Sequence, residues 1–139
     1  MPPTTVRGNL SEAKILAALV EAGYIVSEPF GDGHKYDYVI DDGVTLQRLQ
    51  CKTGRLKRGC VEFNAYSVAG NSNGTRRGYS NLADVFGVYC PDTEQVYLVP
   101  VAQVGVGPVF LRIDPTQNNQ QKRVRWAGDY EIVPIGPSK

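Results

Sequence analysis

The chain has few of the residues and segments that would place it outside the cytoplasm or in a membrane. Its three cysteines, Cys51, Cys60 and Cys90, are an odd number without a Cys-x-x-Cys pair, which argues against a disulfide framework and against a zinc site. The longest aliphatic run, Ile15 to Val20, is far shorter than the roughly 20 residues of a membrane span. The first residues contain no apolar stretch of the secretory type. We therefore expect a cytoplasmic protein without a membrane partner.

The residues that are present suffice for one folded domain. A chain of 139 residues buries roughly 70% of its extended surface on folding, which allows one real core without cross-links. Its composition, 42% hydrophobic and 21% charged, is that of an ordinary soluble protein. We expect a single domain over residues 1–139. Its ends, residues 1–7 and 134–139, are rich in Pro, Thr, Gly and Ser and are expected to be flexible.

The net charge of +1 is distributed unevenly along the chain. Residues 48–80 hold seven Lys or Arg and one Glu, or +6, whereas residues 1–47 hold three Lys or Arg and seven Asp or Glu, or −4. A central basic block is the footprint expected of a protein that binds nucleic acid phosphates. It is equally typical of a solvated loop. If the block binds DNA, the residues expected to contact phosphates are Arg55, Lys57, Arg58, Arg76 and Arg77.

The hydrophobic pattern predicts an α/β domain in which a helix packs on a mixed sheet. An amphipathic helix is predicted over residues 10–22, with Asn9 as its N-cap and Gly23 as its stop. The apolar positions at helical spacing are Ala13, Leu16, Ala17 and Val20. Strands are predicted over residues 24–28, 36–40, 44–53, 61–66, 85–89, 95–99 and 109–113. Segments 54–59 and 69–81 are predicted as loops.

The hairpin predicted over residues 36–53 carries polar side chains suited to metal chemistry. Gln50 and Lys52 lie two residues apart on one strand and so share a face, while Asp37 lies on the preceding strand. A carboxylate, an amide oxygen and an ammonium group can then converge at one edge. Mg²⁺ prefers oxygen ligands, and Glu12 on the preceding helix can complete the shell. Such an ion neutralises phosphate charge and acidifies a water, and a lysine beside it can orient that water or stabilise the transition state.

Each of these residues also has an ordinary structural interpretation. Asp37 could cap a turn, and Gln50 and Lys52 could be polar residues facing solvent. We favour functional roles for these three, because a carboxylate in an apolar strand is costly without a partner and perturbed charges cluster at sites. Asn9-x-x-Glu12 resembles a capping box, in which Glu12 would bind the Asn9 backbone N–H. Both roles of Glu12 therefore stay open.

Asp37, twelve further residues and then Gln50-Cys51-Lys52 resemble the PD-(D/E)XK nuclease motif, with Gln where Asp or Glu is usual. The sequence is similar to the small branch associated with group I intron homing endonucleases, which also carries Gln-x-Lys. The similarity includes the segments GNLSEAKILAALVEAGYIVSEP, VFGVYCPDTEQVYLVP and LRIDPTQNNQ followed by VRWA. The resemblance implies a restriction-endonuclease-like core, a mixed central β-sheet flanked by helices. It also implies an endonuclease that cuts duplex DNA with Mg²⁺, for which Mn²⁺ can substitute. The uncharged Gln50 favours a single metal ion.

Two other functions are compatible with the same residues. A junction-selective nuclease, similar to archaeal Holliday-junction resolvases, would use the same centre, although those enzymes usually keep an acidic residue where Gln50 stands. A non-catalytic DNA-binding module would keep the fold alone, and the presence of both Asp37 and Lys52 argues against it. Preferential cleavage of four-way junctions over linear duplex would identify a junction-selective nuclease. Poor binding of Mg²⁺ or Mn²⁺ would identify a non-catalytic module.

The expected substrate also bears on assembly. One active centre cuts one strand, so cutting both strands of a duplex needs two centres related by symmetry. We therefore expect a homodimer or a dimer of dimers. Segment 85–130, with its tyrosines and Trp126, is the expected interface, because aromatic residues are enriched at interfaces.

Overall fold

One long α-helix and ten β-strands form most of the regular structure in a computed structural model that describes residues 4–31, 33–68, 76–77, 82–115 and 124–135. The helix is α1 (Thr4–Ala22), and the strands in chain order are β1 (Ile25–Ser27), β2 (Tyr38–Asp41), β3 (Leu46–Thr53), β4 (Arg55–Lys57), β5 (Cys60–Asn64), β6 (Ser67–Val68), β7 (Arg76–Arg77), β8 (Val85–Cys90), β9 (Gln95–Pro100) and β10 (Pro108–Arg112). Two short 3-10 turns cover Val101–Gln103 and Ala127–Asp129. Within these ranges α1 is the only α-helix, and it packs on a mixed sheet, so the predicted α/β fold class is confirmed. No helix in them is long and apolar enough to span a membrane.

Helix α1 begins six residues before the predicted start and buries a different face. Ser11, Ile15, Leu19 and Ala22 are its buried residues. The predicted face is wrong, because Ala13 and Ala17 are exposed and the side chain of Val20 is 58% exposed. Both sets have helical spacing, but Ile15 and Leu19 remove more apolar surface from water than the alanines do.

The end of α1 agrees with the predicted stop. Gly23 has a φ of 102°, its N–H donates to the Val20 carbonyl at 3.1 Å, and the Tyr24 N–H donates to the Leu19 carbonyl at 3.0 Å. This is the Schellman pattern, which favours glycine at the left-handed position. The Ile135 N–H donates to the Ala22 carbonyl at 2.8 Å. Residues 4–7 belong to α1 and Ile135 is bonded to its end, while the flexibility expected of residues 1–7 and 134–139 stays a prediction.

A five-stranded mixed sheet in the order β1-β2-β3-β8-β9 forms the centre of the fold, with β3 and β8 parallel and the other pairs antiparallel. Helix α1 packs on one face through a cluster that includes Ile15, Leu19 and Leu49. A three-stranded sheet in the order β10-β5-β4 packs on the other face through a cluster that includes Phe86 and Val88. Strand β8 is buried on both faces, which explains its continuous apolar sequence.

Gly87 allows the helix to approach the centre of β8. A Cβ atom at this position would lie 3.1 Å from Ile15 Cγ2 and 3.1 Å from Leu49 Cδ2. The absence of a side chain therefore lets the side chains of Ile15 and Leu49 pack directly over β8. This close approach places α1 over the β3–β8 pair on the face of Leu49, whereas Gln50 and Lys52 of β3 lie on the opposite face.

The basic segment 54–59, predicted as a loop, forms strand β4 and a tight turn. β4 pairs with β5 in the register Arg55↔Glu62 and Lys57↔Cys60. The turn places Arg58 at φ 54° and Gly59 at φ 79°. Its cations cover the edge of the three-stranded sheet, a common protection of exposed edges that sequence periodicity alone does not reveal.

The start of the parallel pair β3–β8 is held by an ion pair that sequence reasoning did not anticipate. The Asp84 carboxylate accepts hydrogen bonds from the Arg48 backbone N–H at 2.8 Å and from its guanidinium at 3.1 and 3.0 Å. The Asp84 N–H donates back to the Arg48 carbonyl at 2.8 Å. These bonds fix the register of two strands that no hairpin connects.

Candidate functional site

Asp37 lies one residue before the start of β2, where the neighbouring strand β3 continues past it. Its N–H donates to the Leu49 carbonyl at 2.8 Å, and its Oδ2 accepts from the Cys51 N–H at 2.7 Å. The Asp37 carboxylate thus accepts from the Cys51 N–H, which would have bonded to the backbone of β2 if that strand were longer. Asp37 was expected inside the strand, and its actual position explains how a charged group is kept in a partly buried place.

Gln50 and Lys52 share one face of β3, as their spacing predicts. They lie opposite Phe86 and Val88 of β8, on the side of the central sheet that faces the three-stranded sheet. The Gln50 side-chain nitrogen donates to the Cys51 carbonyl at 3.4 Å. This weak bond directs the amide toward the strand end where Asp37 binds the Cys51 N–H.

The ammonium group of Lys52 is held in a mostly desolvated position. Its Nζ donates to the Tyr66 carbonyl at 3.0 Å and lies 5.9 Å from the centre of the Phe86 ring. Burial lowers the pKa of Lys52 to about 8, and the negative charge of Asp37 opposes that shift. A carboxylate that favours the charged ammonium form thus partly offsets the effect of burial.

Glu12 is positioned by two hydrogen bonds between α1 and the hairpin. Ser11 Oγ and Thr53 Oγ1 are 2.6 Å apart, and the Tyr38 hydroxyl donates to the Glu12 carbonyl at 3.4 Å. Burial raises the pKa of Glu12, and the charges of Asp37 and Glu28 raise it further. The alternative capping-box interpretation of Glu12 is wrong, because Asn9 lies inside α1 rather than at its first turn.

A pocket of about 300 Å³ beside Asp37 contains residues to which sequence reasoning gave no role. Glu28, His34 and Tyr36 line it together with Asp37. His34 Nε2 lies 2.6 Å from the Phe30 carbonyl. Glu28 could have been suspected as a third acidic residue close in sequence to the turn before Asp37. Tyr66, which contributes only a backbone carbonyl, left no signal in the sequence.

The oxygen donors around Asp37 fit a hard divalent cation. Burial raises the pKa of Glu12 and the negative charge of Asp37 raises it further, and a bound cation would offset both effects by stabilising the charged carboxylates. No three His, Cys, Asp or Glu side chains of the described residues are grouped to hold a metal by themselves. The amide oxygen of Gln50 is therefore the further donor to consider, and Mg²⁺ accepts such oxygen ligands together with water.

The predicted phosphate-binding residues are only partly positioned by the structure. Arg55 and Lys57 lie on β4, where their side chains are 3.4 and 4.0 Å from Glu62 Oε1. Arg58 is exposed in the adjoining turn. Arg76 and Arg77 form β7, which pairs with β6; their side chains, and most of the predicted loop 69–81, lie outside the described residues.

Three comparisons relate this chain to known proteins. Residues 3–133 match a family model described as PD-(D/E)XK endonuclease. Among solved structures, the chain is similar to the bacterial homing endonuclease I-Ssp6803I, at 21% identity and a TM-score of 0.73, covering 94% of this chain and 89% of that one. It is also similar to MepB at 14% identity, covering 81% of this chain and 86% of that one, with a TM-score of 0.36 that is too low to indicate a shared fold. No curated protein matches significantly.

Proposed function

Because the chain belongs to the PD-(D/E)XK endonuclease family, we propose that it hydrolyses phosphodiester bonds of duplex DNA, with Asp37, Gln50, Lys52 and Glu12 at its active centre. Nucleases of this family generally use divalent metal ions, and we propose Mg²⁺, with Mn²⁺ as a substitute. The I-Ssp6803I structure is that of a homing endonuclease. We therefore propose, more specifically, that this chain cuts duplex DNA as a homing endonuclease does.

One observation carries this proposal: the Asp37 carboxylate binds the backbone N–H of Cys51 at 2.7 Å, between Gln50 and Lys52 of β3. Burial raises the pKa of Glu12, and the charge of Asp37 raises it further; burial lowers the pKa of Lys52, and the charge of Asp37 opposes that shift. An acidic side chain is thereby fixed at the segment of β3 that carries Gln50 and the mostly buried Lys52. A purely structural strand end has no need of this arrangement, since a buried ammonium group costs stability.

The residues of the centre would have distinct roles in hydrolysis. Asp37, Gln50 and Glu12 would hold the divalent ion through their oxygens, and the ion would supply charge neutralisation at the scissile phosphate and acidify the attacking water. Lys52 would donate a hydrogen bond to that water or to the phosphate oxygens, where negative charge develops. The Cys51 N–H keeps the Asp37 carboxylate oriented, because it binds Oδ2 at 2.7 Å.

Cleavage of a random-sequence DNA library with Mg²⁺, followed by sequencing of the ends, tests the proposed function. The wild-type protein should yield defined ends. Asp37→Asn and Lys52→Met should each reduce the rate by about 100-fold or more, the usual effect of losing a group that stabilises transition-state charge. Asp41→Asn is a matched control on β2 and should cleave normally. Wild-type rates in the Asp37 or Lys52 variant would refute the assignment of the active centre.

A further inference from the structure

A pocket of about 390 Å³ lies on the outer face of the three-stranded sheet, apart from the candidate active centre. Its floor includes Phe110 of β10, whose side chain is 47% exposed, and Glu62 of β5, which lies opposite Phe110 in the sheet. Val124 also lines the pocket. Phe110 is half exposed on a strand face that is turned to solvent, so its aromatic ring is accessible to a ligand.

The rim of this pocket is strongly cationic. Four of its lining residues carry a positive charge, namely Lys57, Arg58, Arg112 and Arg125, and one, Glu62, carries a negative charge. Glu62 is already paired with Arg55 and Lys57 at 3.4 and 4.0 Å. The lining residues therefore carry a net positive charge, which favours binding of a polyanion.

Two of these cations are held in place by the protein. Arg112 Nε donates to the Asp114 carbonyl at 2.9 Å, and its Nη2 donates to the Pro115 carbonyl at 3.3 Å. Arg125 Nη2 donates to the Gln103 carbonyl at 2.6 Å. Backbone carbonyls orient both guanidinium groups without cancelling their charge, so both add to the positive charge of the rim.

The pocket lies within reach of a nucleic acid strand bound at the active centre. Lys52 and Lys57 are five residues apart along β3 and β4, at most about 17 Å in extended chain. A second pocket, lined by Thr53, Gly54 and Arg55, lies between them and shares Glu62 with the first. At about 3.4 Å per base pair, the distance corresponds to about five base pairs.

We propose that this pocket binds an unstacked nucleotide of a single-stranded DNA segment next to the cleavage position, with its base stacked on Phe110 and its phosphates bound by Lys57, Arg58 and Arg125. The inference rests on the proposed nuclease function and adds that the bound duplex has an unpaired segment next to the cut. An aromatic ring within a cationic groove is the arrangement by which proteins bind single strands without sequence preference. Duplex DNA, whose bases stay stacked, would contact the rim alone.

Binding of two fluorescent DNA probes, measured by anisotropy in EDTA so that no cleavage occurs, tests this proposal. One probe is a blunt duplex, and the other is the same duplex with a short single-stranded extension. Phe110→Ala should weaken binding of the extended probe by about 5- to 150-fold, the range expected for loss of one stacked base, and should leave the blunt probe unaffected. Phe110→Trp should retain tight binding, and Val106→Ala, at a residue 58% exposed outside the pocket, is the matched control.

Equal effects of Phe110→Ala on both probes, or no effect on either, would overturn the proposal. So would a change of sedimentation coefficient in this variant, because the pocket would then be a contact between subunits. Thermal unfolding followed by circular dichroism establishes that each variant is folded. Failure of the wild-type protein to bind the blunt duplex would refute the duplex substrate itself, a result distinct from failure of the Phe110 contact.

Discussion

At the scale of single residues, Lys52 shows the conflict between a functional group and the stability of the fold. Burial lowers its pKa from 10.5 to about 8, so the folded protein binds the Lys52 proton less tightly than the unfolded chain does. Below pH 8 the fold therefore bears the cost of a buried ammonium group, at most about 3 kcal/mol. This cost disappears as the pH rises from about 8 to 10.5, because the folded state releases the proton first.

We expect Lys52→Met to raise the free energy of unfolding of the metal-free protein by up to about 3 kcal/mol at pH 7. The difference from wild type should shrink between pH 8 and 10.5, the two pKa values of Lys52. Urea unfolding in EDTA at several pH values measures it. Lys35→Met, at an exposed position, should have little effect at any pH. A difference for Lys52→Met that is independent of pH would contradict the low pKa.

Gln50 is the residue at which this chain departs from the usual family motif. Gln50→Glu should strengthen Mg²⁺ or Mn²⁺ binding, by roughly tenfold, because a carboxylate adds one negative charge to an oxygen site whose affinity follows its ligand charge. Isothermal titration calorimetry with each ion measures the change. Gln47→Glu adds the same charge on the opposite face of β3 and should leave affinity unaltered. Loss of metal binding in Gln50→Glu would argue against Gln50 as a ligand.

At the scale of elements, strand β4 and its turn form the basic edge that is proposed to bind DNA phosphates. Replacing Arg55, Lys57 and Arg58 together by Gln removes three charges while leaving amides that can still bind Glu62. Log K for duplex binding should then fall less steeply with log salt, with a slope smaller by about 2 to 3, because each neutralised phosphate contributes about 0.9.

Anisotropy titrations over a range of salt concentrations give this slope. Lys14→Gln is the control, since Lys14 lies on α1 and therefore across the central sheet from β4. If the triple variant keeps the wild-type slope, β4 is a solvated edge whose charges only prevent strand pairing. The same experiment with both probes separates this general phosphate contact from the Phe110 contact.

At the scale of the whole molecule, the expected assembly stays a prediction, whereas its expected interface needs correction. The side chains of Tyr89 and Tyr97 are buried within the subunit, at 6% and 1% exposure, and cannot reach a partner. Of the aromatic residues expected at the interface, Trp126 and Tyr130 are partly exposed. The aromatic segment was assigned to an interface because sequence alone does not distinguish a buried core from a buried contact.

We expect a homodimer or a dimer of dimers, because one active centre cuts one strand and a twofold axis supplies the second centre. Sedimentation equilibrium at micromolar concentration, with and without DNA, measures the assembly. The enzyme should make double-strand breaks in a supercoiled plasmid, with the linear form appearing without accumulation of the nicked circle. A protein that remains monomeric on DNA and makes only nicks would refute this expectation.

The sequence by itself determined the family, the α/β class, most strands and the end of α1, since motif spacing, period-two alternation and Gly23 are local properties of the chain. The family prediction is confirmed by the match over residues 3–133, and the fold by the likeness to I-Ssp6803I. The shared face of Gln50 and Lys52 also follows from strand geometry alone.

Only the tertiary structure decided which face of α1 is buried, that segment 54–59 contains a strand, and how the candidate centre is completed. The choice of helix face depends on Gly87, which lies far along the chain and admits Ile15. Strand β4 forms because β5 and the Asp92 side chain, which accepts from the Leu56 N–H at 2.9 Å, bind its backbone. The Tyr66 carbonyl that binds Lys52 and the charge of Glu28 near Glu12 come from distant segments. Long-range contacts of this kind leave no periodic signal in a single sequence, because they depend on where the chain returns in space.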